Sequence, residues 1–254
     1  MRSALARTAA VAAREWGAAL DGPALRTAAP VFSLSLGALY FFVGYPIGEL
    51  RADGLWQVRT THSLAVVFAW LPLLFAGLAA ALTMASWSEE RRAGTEEMLL
   101  AWPVAAGELV LGKFLAAFAQ LCLLLTVALV PLLAATAYLG PVDWGAAVGG
   151  FLGALLLGAG YLALGQLLSA CTRDPLSAFL ITALALLVSW SPMLVVGILP
   201  GALADGLVYA SPASHYLLTS ARGLFDLRDL LFHGLLCAAA LHLCTLVVEA
   251  RRWK

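Results

Sequence analysis

Six stretches without a single Asp, Glu, Lys or Arg dominate this chain: residues 28–45, 63–87, 114–139, 145–170, 176–199 and 230–248. A helix needs about 20 apolar residues to cross the hydrocarbon core, so each stretch is long enough to span a bilayer. In lipid every backbone polar group has to be satisfied within the segment, which leaves helices as the solution for runs of this length. The predicted fold class is therefore all-α: a polytopic integral membrane protein of six transmembrane helices in one transmembrane domain, 1–254. An amphipathic interfacial helix over 1–26 precedes the spans. A cytoplasmic segment, 88–113, and an external connection, 200–229, join them.

Composition removes several function classes. Only 12% of the 254 residues are charged, against about 25% in a soluble domain, and six spans leave little chain for a separate catalytic domain. The formal net charge is zero, without the basic footprint with which nucleic-acid binders neutralise phosphate. Cys122, Cys171, Cys237 and Cys244 form no C-x-x-C pair. Cys237, Cys244 and His233 share a helix face, but a fourth ligand is missing and packing explains them better.

Orientation follows from the basic residues. With both termini cytoplasmic, only Arg51, Arg59, Arg222 and Arg228 of the 15 Lys and Arg residues fall outside, as the positive-inside rule requires. The expected location is the inner (plasma) membrane. Near the N-terminus, Leu5, Ala9, Ala12, Trp16 and Leu20 recur at helical spacing while Arg7, Arg14 and Asp21 fall on the other side. That division predicts a helix lying in the membrane interface; a solvated alanine-rich helix is the competing reading.

Two connections are too long to be simple turns, and long ordered loops are usually working parts. In the cytoplasmic one, Ser86 and Glu89 have capping-box spacing. Gly94 interrupts the helix, Thr95 caps a short second helix through Leu100, and Pro103 fixes the next start. That short helix is expected to expose Glu96 and Glu97 beside Met98, Leu99 and Leu100, as a docking element for a soluble partner. A solvated charged loop is the alternative. Gly107 to Lys113 matches the phosphate-loop pattern G-x-x-x-x-G-K. Phe114 stands where magnesium binding needs Ser or Thr and no strand precedes it, so no ATP site is expected there.

In the external connection, Pro212 keeps Ser211 out of helix and Ser214 is expected to cap a short helix ending near Gly223, with Asp226 and Asp229 before the last span. An interfacial helix and a re-entrant loop both fit. Gly145, Gly149 and Gly153 recur every four residues and predict a close helix contact, within the subunit or between subunits. The chain has no G-x-S-x-G elbow and no H-E-x-x-H helix, and the tandem Glu89-Glu90 beside Arg91-Arg92 reads as paired surface charge. No catalytic, cofactor or metal residue is assigned.

Together, the Arg14-Glu15 helix, the run Glu89-Glu90-Arg91-Arg92-Ala93-Gly94-Thr95-Glu96-Glu97, Pro103-Val104 and Leu111-Gly112-Lys113 resemble the ABC-2-type permease family. Ser211-Pro212-Ala213-Ser214-His215, with Arg222-Gly223 and Arg228-Asp229, resembles its gliding-motility and nitrous-oxide-reductase-maturation branch. The resemblance implies a permease subunit that binds no cofactor itself and pairs with a second permease half, the same or different. A separate ATP-binding subunit, which would hold ATP and Mg, would dock on the coupling segment through Glu89, Glu90, Arg91, Arg92, Gly94, Thr95, Glu97, Met98, Leu99 and Pro103. An extracytoplasmic accessory protein and membrane lipid complete the implied partners. Where Glu96 stands the family commonly has an apolar residue, so Glu96 is expected to add negative charge to the docking surface. A membrane-embedded enzyme and an anchoring scaffold are the other two readings.

Overall fold

The computed structural model describes residues 4–44, 64–100, 102, 104–192, 198, 200–224 and 226–252, and every element in it is helical. Helix α1 is Ala4–Asp21. Gly22 breaks it in an extended conformation, and Pro23 at the first position starts α2, Pro23–Ala38, where the ring costs no hydrogen bond. A π-helical turn, Leu39–Gly44, extends α2. Next come α3, Ala65–Thr83, and α4, Ala85–Arg92, joined through Met84 in helical conformation. They are followed by α5, Glu96–Leu100, α6, Ala106–Leu139, α7, Trp144–Cys171, and α8, Pro175–Trp190. The chain closes with α9, Gly201–Ala210, α10, Pro212–Leu218, a 3-10 turn, Ser220–Arg222, and α11, Leu227–Arg252.

Among the described residues, five segments are long and apolar enough to cross a membrane: Leu25–Phe42, Val66–Arg92, Ala106–Tyr138, Trp144–Cys171 and Leu227–Arg252. Helix α8 is apolar but has 16 residues, which at about 1.5 Å per residue falls short of the roughly 30 Å core. The expected span 176–199 continues into 193–197 and 199, outside the described residues.

Helix α7 is the hub, with Leu157, Tyr161 and Leu162 fully buried and contacts to α3, α6, α8 and α11. Its glycines make this possible: a methyl on Gly150 would lie 2.4 Å from the Phe68 ring, on Gly158 2.2 Å from Leu121, and on Gly165 2.2 Å from Thr83. Apolar burial gives no net drive between helices in lipid, so such close packing supplies it. Three interior polar pairs tie the helices together: Tyr40 with Thr136 at 2.9 Å, Tyr161 with Ser189 at 3.0 Å, and Gln166 Nε2 donating to Val110 O at 3.0 Å.

Several expected boundaries shift. The segment from 88 to 113 is not one long connection: α4 continues α3 to Arg92, and α6 begins at Ala106. Glu108 caps that start by accepting from Ala105 N at 3.2 Å. Ser86 restarts nothing, because it lies inside α4. Helix α1 packs along α6. Val11 is its buried residue and packs on Gly112, while Arg7 binds Glu108 through two bonds, at 2.8 and 2.5 Å. The charged side of α1 thus docks on α6, and Leu5, Ala9 and Leu20 are exposed.

Candidate functional site

Charged side chains collect at one end of the bundle, here termed the arginine-rich end. Lys113, in α6, is the most enclosed, its side chain 4% exposed. Its Nζ lies 2.8 Å from Glu90 Oε1 in α4 and 3.4 Å from Glu15 Oε1 in α1, and 5.1 Å from the centre of the buried Trp87 ring. Arg14 adds a 2.5 Å bond to Glu15. A cation this enclosed has to be paired; Glu90 and Glu15 supply the carboxyl groups, and burial, outweighing Lys113, pushes the Glu90 carboxyl above the ordinary range. Burial works against ionised Glu15, but Lys113 and then Arg14 outweigh it and hold its carboxyl below the ordinary range.

The turn after α4 is fixed by its backbone. Gly94 has φ +70, and the bonds Thr95 N to Glu90 O, 2.9 Å, and Gly94 N to Arg91 O, 3.3 Å, form a Schellman ending that needs glycine at this position. Chain direction therefore reverses into α5. Arg91 donates to Thr172 O at 2.7 Å and reaches Glu96 Oε2 at 3.4 Å. From α11, Arg251 bonds Glu96 Oε1 at 3.0 Å and also donates to Ala170 O. Arg252 reaches Trp102 O and Val104 O, each at 3.4 Å. Helix α5 is thus gripped at its start by Arg91 and Arg251, with Arg252 on the connector beyond it. Its outer surface is left free: Glu97 is exposed and Met98 is 71% exposed, whereas Leu99 is 7% exposed and joins the core.

At the opposite end, α10 and the 3-10 turn form a plug packed against α7, and α9 lies beside them with most of its side chains exposed. Ser211, not Ser214, caps α10, accepting from Ser214 N at 3.1 Å and donating to Ser189 O at the end of α8. Gly223, at φ +80, lies against α7: a methyl on Gly149 would be 2.6 Å from its Cα, and one on Gly153 2.2 Å from Ser220 Cβ. Asp229, in the first turn of α11, holds His215 Nδ1 at 2.7 Å and accepts from Thr219 Oγ1. His215 Nε2 reaches Tyr209 O at 3.0 Å, and Phe232 stacks on its ring with centroids 4.1 Å apart.

A short hairpin, α4 to α5, lies at one end and a packed plug at the other, joined by helices long and apolar enough to cross a membrane. A family model described as "ABC-2 family transporter protein" matches residues 10–242. The chain belongs to the ABC-2 transporter family. No curated protein matches it. The match runs from within α1 to within α11, so it takes in both the hairpin and the plug. This family supplies the membrane component of a transporter and is not itself catalytic. Among the described residues of this ABC-2 protein, no group of three His, Cys, Asp or Glu can hold a metal.

The residues singled out from sequence separate into three sets. Glu90, Arg91 and Leu99 face the subunit's own interior, as does Glu96, so Glu96 does not add charge to an outer surface. Glu89, Arg92, Gly94, Thr95, Glu97 and Met98 are reachable from outside to different degrees, with Glu89 and Arg92 paired at 2.8 Å. Pro103 lies outside the described residues. In the glycine stripe, Gly149 and Gly153 serve a contact inside the subunit, against a turn and not a helix. Gly145 contributes its carbonyl to the same contact.

Sequence reasoning on this ABC-2 chain missed Lys113, whose phosphate-loop pattern lies within the first turns of α6, and missed Arg7, Glu108, Arg251 and Arg252. A signal was available: in a chain this poor in charge, an isolated charge beside a span has to find an opposite partner.

Proposed function

We propose that this chain is the permease subunit of an ATP-binding-cassette transporter, with ATP and Mg carried by a separate subunit that docks on the outer surface of α5 and its flanks. The observation that carries the proposal is the hairpin itself. Arg91 of α4 and Arg251 of α11, both on Glu96, and a Schellman turn fix the start of α5, while Glu97 and Met98 are left exposed at its tip. A rigid helix with a free amphipathic face is suited to receive force from a soluble partner.

The remaining features follow from that assignment. Six spans, with α8 as the fifth, put both termini and α5 in the cytoplasm and the plug outside the inner membrane. A second permease half completes the complex. Its work is export of a substrate or movement of an extracytoplasmic machine, as in the gliding-motility and nitrous-oxide-reductase-maturation branch that the Ser211 to His215 segment resembles. The exposed apolar side of α1 lies in the headgroup region.

Purification of the tagged chain from its native membrane tests this reading. The expected result is a stoichiometric ATP-binding subunit and ATP hydrolysis by the complex. A chain that purifies folded, alone and without hydrolysis would contradict it.

A further inference from the structure

Among the described residues, α11 is the one element tied by charged side chains to both working ends. Its last turn holds α5 through Arg251 to Glu96, and the α5–α6 connector through Arg252 to Trp102 O and Val104 O. Its first turn holds the plug through Asp229, which binds His215 of α10 and Thr219 just before the 3-10 turn. Between these turns runs unbroken helix, Leu227–Arg252, about 39 Å long at 1.5 Å per residue. Its inner face, His233, Ala240, Cys244 and Val248, is buried mainly on α7.

We propose that α11 is the connecting rod of the transporter: Arg251 and Arg252 take up displacement of α5 at one end, and Asp229 delivers it to the plug at the other. The proposal rests on the reading of α5 as the docking helix. Charge-assisted hydrogen bonds are directional and resist separation more than apolar contacts do. Between these two ends the interface of α11 with α7 is largely apolar and permits the small sliding by which packed helices shear, although Arg251 also donates to Ala170 O of α7. The plug-facing side of α7 is different. It meets the plug by close packing at Gly145, Gly149 and Gly153, and at its other end Ala170 O and Thr172 O, just beyond its last turn, accept from Arg91. In this arrangement α7 is the stationary track. Arg251, Arg252 and Asp229 are positioning residues, since none touches a substrate.

The test uses the complete complex with its ATP-binding subunit, in membranes, with all native cysteines replaced. An environment-sensitive fluorophore is placed on Leu231→Cys in α11 or on Leu218→Cys in the plug, both exposed. On addition of Mg-ATP both labels are expected to shift. In complexes of Arg251→Met that retain the ATP-binding subunit both shifts are lost, and Arg251→Lys restores them. With Asp229→Asn the α11 label still responds and the plug label does not.

A plug label that responds normally in both Arg251→Met and Asp229→Asn would overturn the proposal and assign transmission to α7. Should Arg251→Met fail to fold, Arg252→Met, which removes only the two connector bonds, is expected to reduce both shifts together. Loss of the partner from the unmodified chain would instead mark failure of the docking assignment itself.

Discussion

Lys113 and Arg92 are cations on adjoining helices with opposite consequences for stability. Lys113 is enclosed by Glu90, Glu15 and the Trp87 ring. Removing its charge leaves two carboxylates without their ammonium, so Lys113→Ala is expected to cost about 3–5 kcal/mol. Arg92 bonds Glu89 on an exposed surface, where solvent screens the pair and Arg92→Ala should leave stability nearly unchanged. Thermal unfolding of both variants in detergent checks the contrast; equal midpoints would mean that the Lys113 cluster is not a clamp. Glu15 adds a pH dependence. Its carboxyl is held below the ordinary value of 4.5, so the stability it contributes is fully present above about pH 4.5 and is lost as pH falls through the folded-state value. Helix α1 should therefore undock on acidification, seen as new accessibility of a Val11→Cys probe, and Glu15→Gln should abolish that pH step.

Elements in this protein are set by small residues as much as by large ones. Gly149→Ala puts a methyl 2.6 Å from the Gly223 backbone, which cannot rotate away, and overpacking of this kind costs about 1–3 kcal/mol. Gly77→Ala, with nothing within 4 Å of the added methyl, should be neutral. Unfolding midpoints and labelling of Leu218→Cys would show whether the plug is displaced only in the first. The spans themselves were legible in sequence because hydropathy determines them. Their ends were not, since α4 continues past the apolar run and α6 starts before its own, with charges retained by pairing. The breaks at Gly94 and Gly223 were readable, for positive φ favours glycine. Ser211 was missed as a cap because Pro212 can also occupy the first helical position. Leu99 was misassigned because α5 is too short for periodicity to fix which side faces in.

Seen whole, the molecule is a multi-pass ABC-2 protein with charge pairing concentrated at one end and a buried plug at the other. The orientation proposed from its basic residues predicts that a membrane-impermeant thiol reagent labels Asp205→Cys, in α9, in intact cells, and labels Gly94→Cys only after lysis. The reverse pattern would invert the topology. The most direct measurement of the central claim is photo-crosslinking in the native membrane, with a photoreactive residue in place of Met98 at the tip of α5, of Leu99 beneath it, or of Tyr209 in α9. The account predicts an adduct between position 98 and an ATP-binding subunit, with none from 99 or 209. An ATP-binding subunit that crosslinks at 209, or at none of the three although it copurifies with the chain, would contradict it.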